Sequence, residues 1–202
     1  MFLKQTVLIT LLTLMLSFTV QANEESPDRI VKNIIDQVLL VLKDENLVES
    51  KQKETVFKLV KERINFKEMS RRILATNWNV ASEEQKNEFI SLFEQILLNT
   101  YWSRIKRYSG ERIDYVSVSS NNEDYATVDT VIVKDDTDIQ IPISYRMKRF
   151  VNIWFAYDFT VERLSLVQSY RNEYRAIAKN HGVDGLLEYM QRDIENSQSK
   201  NK

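Results

Sequence analysis

The sequence predicts an α+β fold in which helices cover one face of an antiparallel sheet. Apolar residues recur at helical spacing before Gly110, and they alternate with polar residues after it. The alternating segments follow each other through short turns without an intervening helix, which favours an antiparallel meander. The amphipathic helices would then bury their apolar faces against the apolar face of this sheet.

Three helices are predicted ahead of a long one. The first begins at Pro27, because proline suits the first helical turn and the preceding Ser26 is a frequent N-cap residue. The second and third are expected over residues 51–64 and 66–77, with Asn65 as the N-cap of the third. Together with the long helix they make up the predicted helical part, which ends at residue 109.

The long helix is predicted to begin at Ser82, where Gln85 completes a capping box. Its first half carries one apolar stripe, whereas Tyr101 and Trp102 lie about a third of a turn around the axis. Two explanations fit this change of face. The helix is wedged between two layers of an ordinary core, or its second half turns toward the sheet or a lipid-sized cavity.

Alternation predicts four strands, and a fifth is possible. In the third strand Ile141, Ile143 and Tyr145 share one face, while the intervening polar residues face solvent. In the fourth strand Tyr157 and Phe159 are expected to share a face with their apolar neighbours. The predicted strands occupy residues 112–119, 125–134, 139–149 and 153–161.

Two C-terminal helices are predicted after the sheet. The first covers residues 164–181 and ends at Gly182, and the second runs from residue 183 or 184 to about residue 196. The expected organisation is one domain over residues 23–195, with helical parts at 26–109 and 162–195, a sheet part at 110–161, and a polar tail at 196–202.

Residues 1–22 are typical of a secretory signal peptide cleaved after Ala22. An uncleaved anchor is the alternative, but the apolar run is shorter than the roughly 20 residues that a membrane-spanning helix needs. Without Lys4 the chain has 27 basic and 29 acidic residues, a net charge of −2. This balance argues against a nucleic-acid partner.

Side chains that support common catalytic and metal sites are scarce. The sequence has no cysteine and a single histidine, His181, which is expected to stabilise the end of a helix before Gly182. Thiolate or histidine-rich zinc sites are therefore excluded, and no glycine-rich loop is available to hold a phosphate. An enzyme is the least favoured class of function.

Two sets of motifs lie in the helical part and in the C-terminal half. The first set is Phe66-Lys67-Glu68-Met69-Ser70-Arg71-Arg72-Ile73-Leu74, Trp78, Ala81-Ser82-Glu83-Glu84-Gln85-Lys86, Phe89 to Phe93, Thr100-Tyr101 and Tyr108. The second set is Trp154-Phe155-Ala156-Tyr157-Asp158, Ser165-Leu166, Tyr170-Arg171, Tyr174 and Gly182-Val183-Asp184-Gly185-Leu186. In this order and spacing they resemble the MlaC, or toluene-tolerance, family over nearly the whole mature chain.

This resemblance implies a periplasmic phospholipid carrier of Gram-negative bacteria that maintains outer-membrane lipid asymmetry. The implied fold has a twisted sheet similar in shape to nuclear transport factor folds. No cofactor is implied, since phospholipid is the cargo. The implied partners are glycerophospholipid, an inner-membrane ABC transporter complex with its substrate-binding subunit, and an outer-membrane lipoprotein–porin complex. A monomer is expected, and the alternative function is a ligand-free, protein-binding adaptor.

Two positions depart from the family pattern. Arg163 stands where the family favours glycine before the serine of a strand-to-helix corner, and arginine is costly if that corner needs a positive φ. The corner is therefore expected to be rebuilt. Ser169 stands where asparagine is expected before Tyr170-Arg171, so a side-chain amide contact is not expected there.

A lipid carrier needs a dry site, and the apolar faces supply candidate lining residues. For each of them an ordinary core position is the alternative. Tyr101, Tyr145 and Tyr170 suit the mouth, because a tyrosine has an apolar ring and a polar tip. The candidates are Val128, Ile141, Ile143, Tyr145, Tyr157 and Phe159 on the sheet, and Met69, Ile73, Phe93, Leu97, Tyr101, Leu166 and Tyr170 on the helices.

Overall fold

The computed structural model describes residues 25–134 and 139–200. The predicted signal peptide lies outside the described residues. Five helices come first: α1 (Pro27–Lys43), α2 (Glu49–Lys61), α3 (Phe66–Leu74), α4 (Asn77–Val80) and α5 (Glu83–Ile105). Among the described helices, none is long and apolar enough to cross a membrane.

The second half of the chain forms the sheet and a long C-terminal helix, α6 (Leu166–Lys200). All neighbouring strands are antiparallel, and their order in space follows their order in the chain. The α+β class and the meander are therefore confirmed, with a short fifth strand. The strands are β1 (Arg112–Asn122), β2 (Tyr125–Val133), β3 (Gln140–Phe150), β4 (Ile153–Val161) and β5 (Leu164–Ser165).

The predicted caps of α3 and α5 are confirmed. The side chain of Asn65 accepts a hydrogen bond from the backbone N–H of Glu68 at 2.8 Å. Ser82 and Gln85 make both bonds of the capping box, at 2.9 and 3.2 Å. The predicted end of α3 was wrong: Ala75 has a φ of 52°, which ends the helix at Leu74, and the short α4 follows separately.

The connection between α2 and α3 belongs to the edge of the sheet. Ile64, which was predicted to be helical, instead forms a parallel bridge with Ala156 of β4. The backbone N–H of Asn65 donates to the carbonyl of Ala156 at 2.8 Å, and the N–H of Ala156 donates to the carbonyl of Arg63 at the same distance. Helical periodicity continues through Ile64, but these bonds draw the backbone out of the helix.

Gly182 divides α6 as predicted. Its φ of 71° and ψ of −174° interrupt the helical geometry, so the two segments meet at a kink. Glycine adopts this backbone without the steric cost of a side chain. The second segment continues to Lys200, beyond the end expected near residue 196.

The two faces of α5 pack against different elements. Phe93 on the first face contacts Phe66 and Tyr170, with ring centroids 6.4 and 5.1 Å apart. On the other face Trp102 packs edge-on against Phe57 of α2 at 6.0 Å and donates to Glu49 at 3.1 Å. Trp102 therefore fits the first explanation, a helix wedged between two layers, and not the alternative in which it turns toward the sheet or a cavity.

Candidate functional site

One face of the sheet carries five of the six lining residues that were predicted on the strands. Directly opposed residues of an antiparallel pair project to the same face. Val128 opposes Tyr145, which in turn opposes Phe159, and Ile143 opposes Thr130 and Val161. Ile141 shares this face because it lies two residues from Ile143. We call the face that these residues share the inner face.

Tyr157 does not belong to the inner face, and its predicted grouping with Phe159 was wrong. The register shifts beside it: Arg146 opposes Asp158, whereas Met147 opposes Ala156, so Tyr157 is the extra residue of a bulge. Its ring lies 4.1 Å from the guanidinium carbon of Arg72 and 5.9 Å from the ring of Tyr125.

Alternation along a single strand assumes an unbroken period of two, so it cannot reveal the bulge at Tyr157. Because of the bulge, even-numbered residues of β4 face inward before Tyr157 and odd-numbered residues face inward after it. Trp154 and Ala156 therefore join the inner face, and both are buried.

The predicted helix residues meet in one buried cluster opposite the inner face. Phe93 and Met69 are fully buried at its centre. The principal packing partners of α5 are α6 and α3. Other helices contact the sheet: α1 packs on β2, whereas both α3 and α6 pack on β4. The helices next to the sheet thus hold α5 away from the strands. The other predicted residues in this cluster are Ile73, Leu97 and Leu166, with Tyr101 and Tyr170 packed on it.

Exposure rises along the inner face from one end to the other. At the end joined to Ile64, Ala126 and Met147 are 3% and 1% exposed. Toward the opposite end Ile132, Ile141 and Ile143 are only half-buried. An apolar surface that is dry at one end and partly open at the other is suited to an elongated apolar ligand that enters from the open end.

The helix α5 shows the same change in exposure. Phe93 is completely buried and Leu97 is 4% exposed, whereas Tyr101, two turns beyond Phe93, is half-buried. The chain after α5 leads to Arg112, which opposes Val133 at the open end of the sheet. The open ends of α5 and of the inner face are therefore on the same side of the molecule, and we call this side the mouth.

The three tyrosines predicted at the mouth differ in their surroundings. Burial raises the pKa of Tyr145, whose hydroxyl bonds to Thr130. Burial raises the pKa of Tyr170 to about 12 and outweighs the opposing hydrogen bond with Thr100. For Tyr101 burial raises the pKa and the nearby charge of Arg104 lowers it in part. All three side chains are therefore neutral hydroxyls at neutral pH.

The sequence pattern missed several residues of the mouth. Tyr115 opposes Thr130 and so shares the inner face, where it is 38% exposed. Its pKa is raised to about 12, mainly by burial and to a smaller extent by the charge of Asp36. Ile132 and Val161 also lie on this face. The sequence pattern had already placed Val161 on the face of Phe159, and continuing the alternation from Val128 would have found Ile132. A bulge after Tyr115 obscures the pattern of β1.

Side chains are closely packed at the dry end of the inner face, where Val128 is 1% exposed and Phe93 of α5 is completely buried. The rings of Tyr145 and Phe159 pack edge-on at 5.7 Å. Two surface pockets, of about 420 and 510 Å³, lie elsewhere, and none of the predicted lining residues contributes to them. The smaller lies beside Glu88 and Asp184, and the larger beside Phe57 on α2.

The family model described as MlaC protein matches residues 32–192 of the 202-residue chain. The chain belongs to the MlaC family. No curated protein sequence matches it significantly. Among solved structures it is similar to the phospholipid-binding protein from Ralstonia solanacearum, in complex with a phospholipid, at 21% identity. The TM-score is 0.76, and the match covers 85% of this chain and 98% of that one, so the two proteins share a fold.

The corner at which this chain departs from the MlaC pattern has positive φ values. They are 49° at Glu162 and 71° at Arg163, so Arg163 adopts a backbone conformation that favours glycine. The next turn is held by the buried Asp158, which accepts hydrogen bonds from the hydroxyl of Ser165 at 2.7 Å and the N–H of Val167 at 3.0 Å. These bonds fix the start of α6 against β4.

The second departure has a local explanation. The hydroxyl of Ser169 donates to the carbonyl of Ser165 within the first turns of α6 at 2.8 Å. The hydrogen-bonding need of the Ser169 hydroxyl is therefore met within its own helix. The neighbouring Arg171 reaches across to α3 and donates to the carbonyl of Arg72. This contact ties α6 to α3 beside the buried cluster.

Proposed function

We propose that this protein is a soluble periplasmic phospholipid carrier that holds acyl chains between the inner face and α5. The observation that carries the proposal is the gradient from a dry apolar interior to a half-buried mouth in a member of the MlaC family. The phospholipid-bound relative from Ralstonia solanacearum shares this fold and supports the proposal.

A carrier needs a site whose affinity for acyl chains is close to that of a membrane and not greater. At about 0.8 kcal/mol for each buried methylene, two long acyl chains represent on the order of 20 kcal/mol of gross transfer free energy. A site as apolar as the bilayer interior leaves only a small net difference, so loading and release remain reversible. The carrier itself then needs no cofactor or nucleotide, and no catalytic step is proposed.

The proposed lining consists of the predicted residues that the fold brings together. On the sheet these are Val128, Ile141, Ile143, Tyr145 and Phe159, and Tyr157 is left out because of the bulge. On the helices they are Met69, Ile73, Phe93, Leu97, Tyr101, Leu166 and Tyr170. Since the dry end of this site is closely packed, we expect α1 or α5 to move away from the sheet when acyl chains enter.

The proposed cellular role follows the MlaC family. The carrier receives phospholipid from, and delivers it to, an outer-membrane lipoprotein–porin complex and an inner-membrane ABC transporter complex with its substrate-binding subunit. This exchange would maintain outer-membrane lipid asymmetry in a Gram-negative bacterium. We propose that residues 1–22 are a cleaved signal peptide and that the mature protein acts as a monomer without a nucleic-acid partner.

Direct analysis of the purified protein tests the proposal. Mature protein prepared without detergent is extracted with organic solvent, and the extract is analysed by mass spectrometry. We expect diacyl phospholipid in near-stoichiometric amount. Protein that is free of lipid and also takes up none from vesicles would contradict the proposal.

A ligand-free adaptor is the second candidate, because neither of the two surface pockets includes a residue of the proposed lining. An adaptor would bind its partner protein with unchanged affinity after complete removal of lipid.

A further inference from the structure

Arg104 lies on the face of α5 that carries the proposed lipid site. At about 100° per residue, Leu97 lies about 40° and Arg104 about 20° around the helix axis from Phe93. A charged side chain thus continues the apolar stripe formed by Phe93 and Leu97. Arg104 is exposed, in contrast to the buried Phe93 and Leu97, so it lies where the stripe reaches solvent.

The side chain of Arg104 is positioned by an aromatic ring of the site. Its guanidinium carbon lies 5.3 Å from the ring centroid of Tyr101, which is half-buried at the mouth. Such a cation–π contact restrains the guanidinium without using its hydrogen-bond donors. Arg104 therefore presents its N–H groups beside the mouth.

Arg104 has no carboxylate partner within 4 Å among residues 25–134 and 139–200, whereas a basic side chain on each of α1, α2 and α5 does. Lys106 on the opposite side of α5 bonds to Glu49 at 2.9 Å, and Lys61 pairs with Glu94. On α1, Lys32 pairs with Asp36 at 3.0 Å. The charge of Arg104 is thus available for a ligand.

The distance along α5 suits a phospholipid. A rise of 1.5 Å per residue places Arg104 about 10 Å beyond Leu97 along the helix. The acyl chains of a phospholipid need the buried part of the stripe, and its phosphate lies where the apolar part ends. A guanidinium binds two phosphate oxygens at once, with a fit that an uncharged headgroup lacks.

Resting on the proposed carrier function, we propose that Arg104 binds the headgroup phosphate of the lipid at the mouth. The apolar site then supplies affinity for acyl chains in general, and Arg104 distinguishes phospholipid from an uncharged diacyl lipid. The variant Arg104→Gln should lose this distinction while keeping the apolar site intact.

The test uses vesicles of phosphatidylethanolamine and phosphatidylglycerol that also contain diacylglycerol with the same acyl chains. Wild-type protein and Arg104→Gln are incubated with the vesicles and separated from them, and bound lipids are quantified by mass spectrometry. Arg104→Gln should retain about three- to fivefold less phospholipid, as expected for one exposed charge pair, with unchanged diacylglycerol. Lys106→Gln, which removes a charge from the opposite side of α5, should behave like wild type.

Four outcomes would overturn the assignment. Equal loss of both lipids would indicate a structural defect, and unchanged retention of both would show that Arg104 does not contact the phosphate. Arg104-dependent binding of inorganic phosphate to lipid-free protein would assign the residue to the free anion. If wild-type protein retains neither lipid, the carrier function itself fails, and the role of Arg104 fails with it.

Discussion

Glu68 is a buried carboxylate that organises four cationic contacts at one end of α3. Arg71 donates to both of its oxygens at 2.8 and 2.9 Å, and Arg72 donates at 2.9 Å. Lys148 of β3 lies 3.8 Å away and links the group to the sheet. Burial alone would raise the pKa of Glu68, but the hydrogen bond from Arg71 and the charges of Arg72 and Lys148 leave this pKa lowered.

The variant Glu68→Gln should destabilise the protein by about 2 kcal/mol at pH 7, because its cationic partners lose their shared charge. The lowered folded-state pKa means that the stabilisation by Glu68 is present above its unfolded pKa, near 4.5, and is lost as pH falls through the folded value. The difference between wild type and variant should therefore shrink at pH 3. Denaturant unfolding of both proteins at pH 7 and pH 3 measures this difference in the free energy of unfolding.

An exposed glutamate provides the control for this pH dependence. Glu54 pairs with Lys51 on the surface of α2, with both side chains more than half exposed. Glu54→Gln should leave the free energy of unfolding nearly unchanged at both pH values. A pH-independent loss of stability in Glu68→Gln would show that packing, and not charge, explains the role of Glu68.

At the scale of elements, the start of α6 depends on a carboxylate from the sheet. Asp158 is 3% exposed, and it accepts bonds from Ser165 and from the first turn of α6. It thereby compensates for the positive φ values at Glu162 and Arg163, which L-residues adopt at a cost. These bonds hold both sides of the corner, although Arg163 stands where the family favours glycine.

Asp158→Ala should destabilise the protein by about 2 kcal/mol, since it leaves the N–H of Val167 without its cap and Ser165 without its acceptor. Thermal unfolding followed by circular dichroism measures the change. The matched variant Asp193→Ala removes an exposed carboxylate from α6 and should cost less than about 0.5 kcal/mol. Equal effects of the two variants would contradict a capping role for Asp158.

Local sequence signals predicted the helix caps and the break in α6, whereas non-local contacts explain the wrong predictions at Ile64 and Tyr157. The caps of α3 and α5 and the break at Gly182 depend on residues within one or two turns, which a single sequence displays. The bridge at Ile64 requires Ala156, which lies far along the chain, and the bulge at Tyr157 depends on the register with β3. Neither leaves a signal in a local pattern.

At the scale of the whole molecule, the proposed function depends on the inner face acting as one apolar surface. The α+β class, the faces of β2 and β3 and the buried helix residues were predictable from apolar periodicity. The direction of the exposure gradient was not, because it depends on how the helices pack above the sheet. Periodicity shows which side of an element is apolar but not how much of it a neighbour covers.

Ile143→Asp should reduce phospholipid retention about tenfold or more, because it places a carboxylate in the apolar part of the proposed site. Gln140→Asp, on the opposite face of the same strand, provides the matched control and should retain lipid like wild type. Retention is measured by mass spectrometry on variants whose folding is checked by circular dichroism. Unchanged lipid content in folded Ile143→Asp would place the site elsewhere.

The meander order of the strands has a consequence for how the chain folds. Each strand pairs with the next one along the sequence, so the sheet can form through successive short loop closures, each with a small entropic cost. The bridge between Ile64 and Ala156 instead closes a long loop, and we expect it to form late. The strands would thus assemble first, and the α2–α3 connection would then lock the helices onto a preformed sheet.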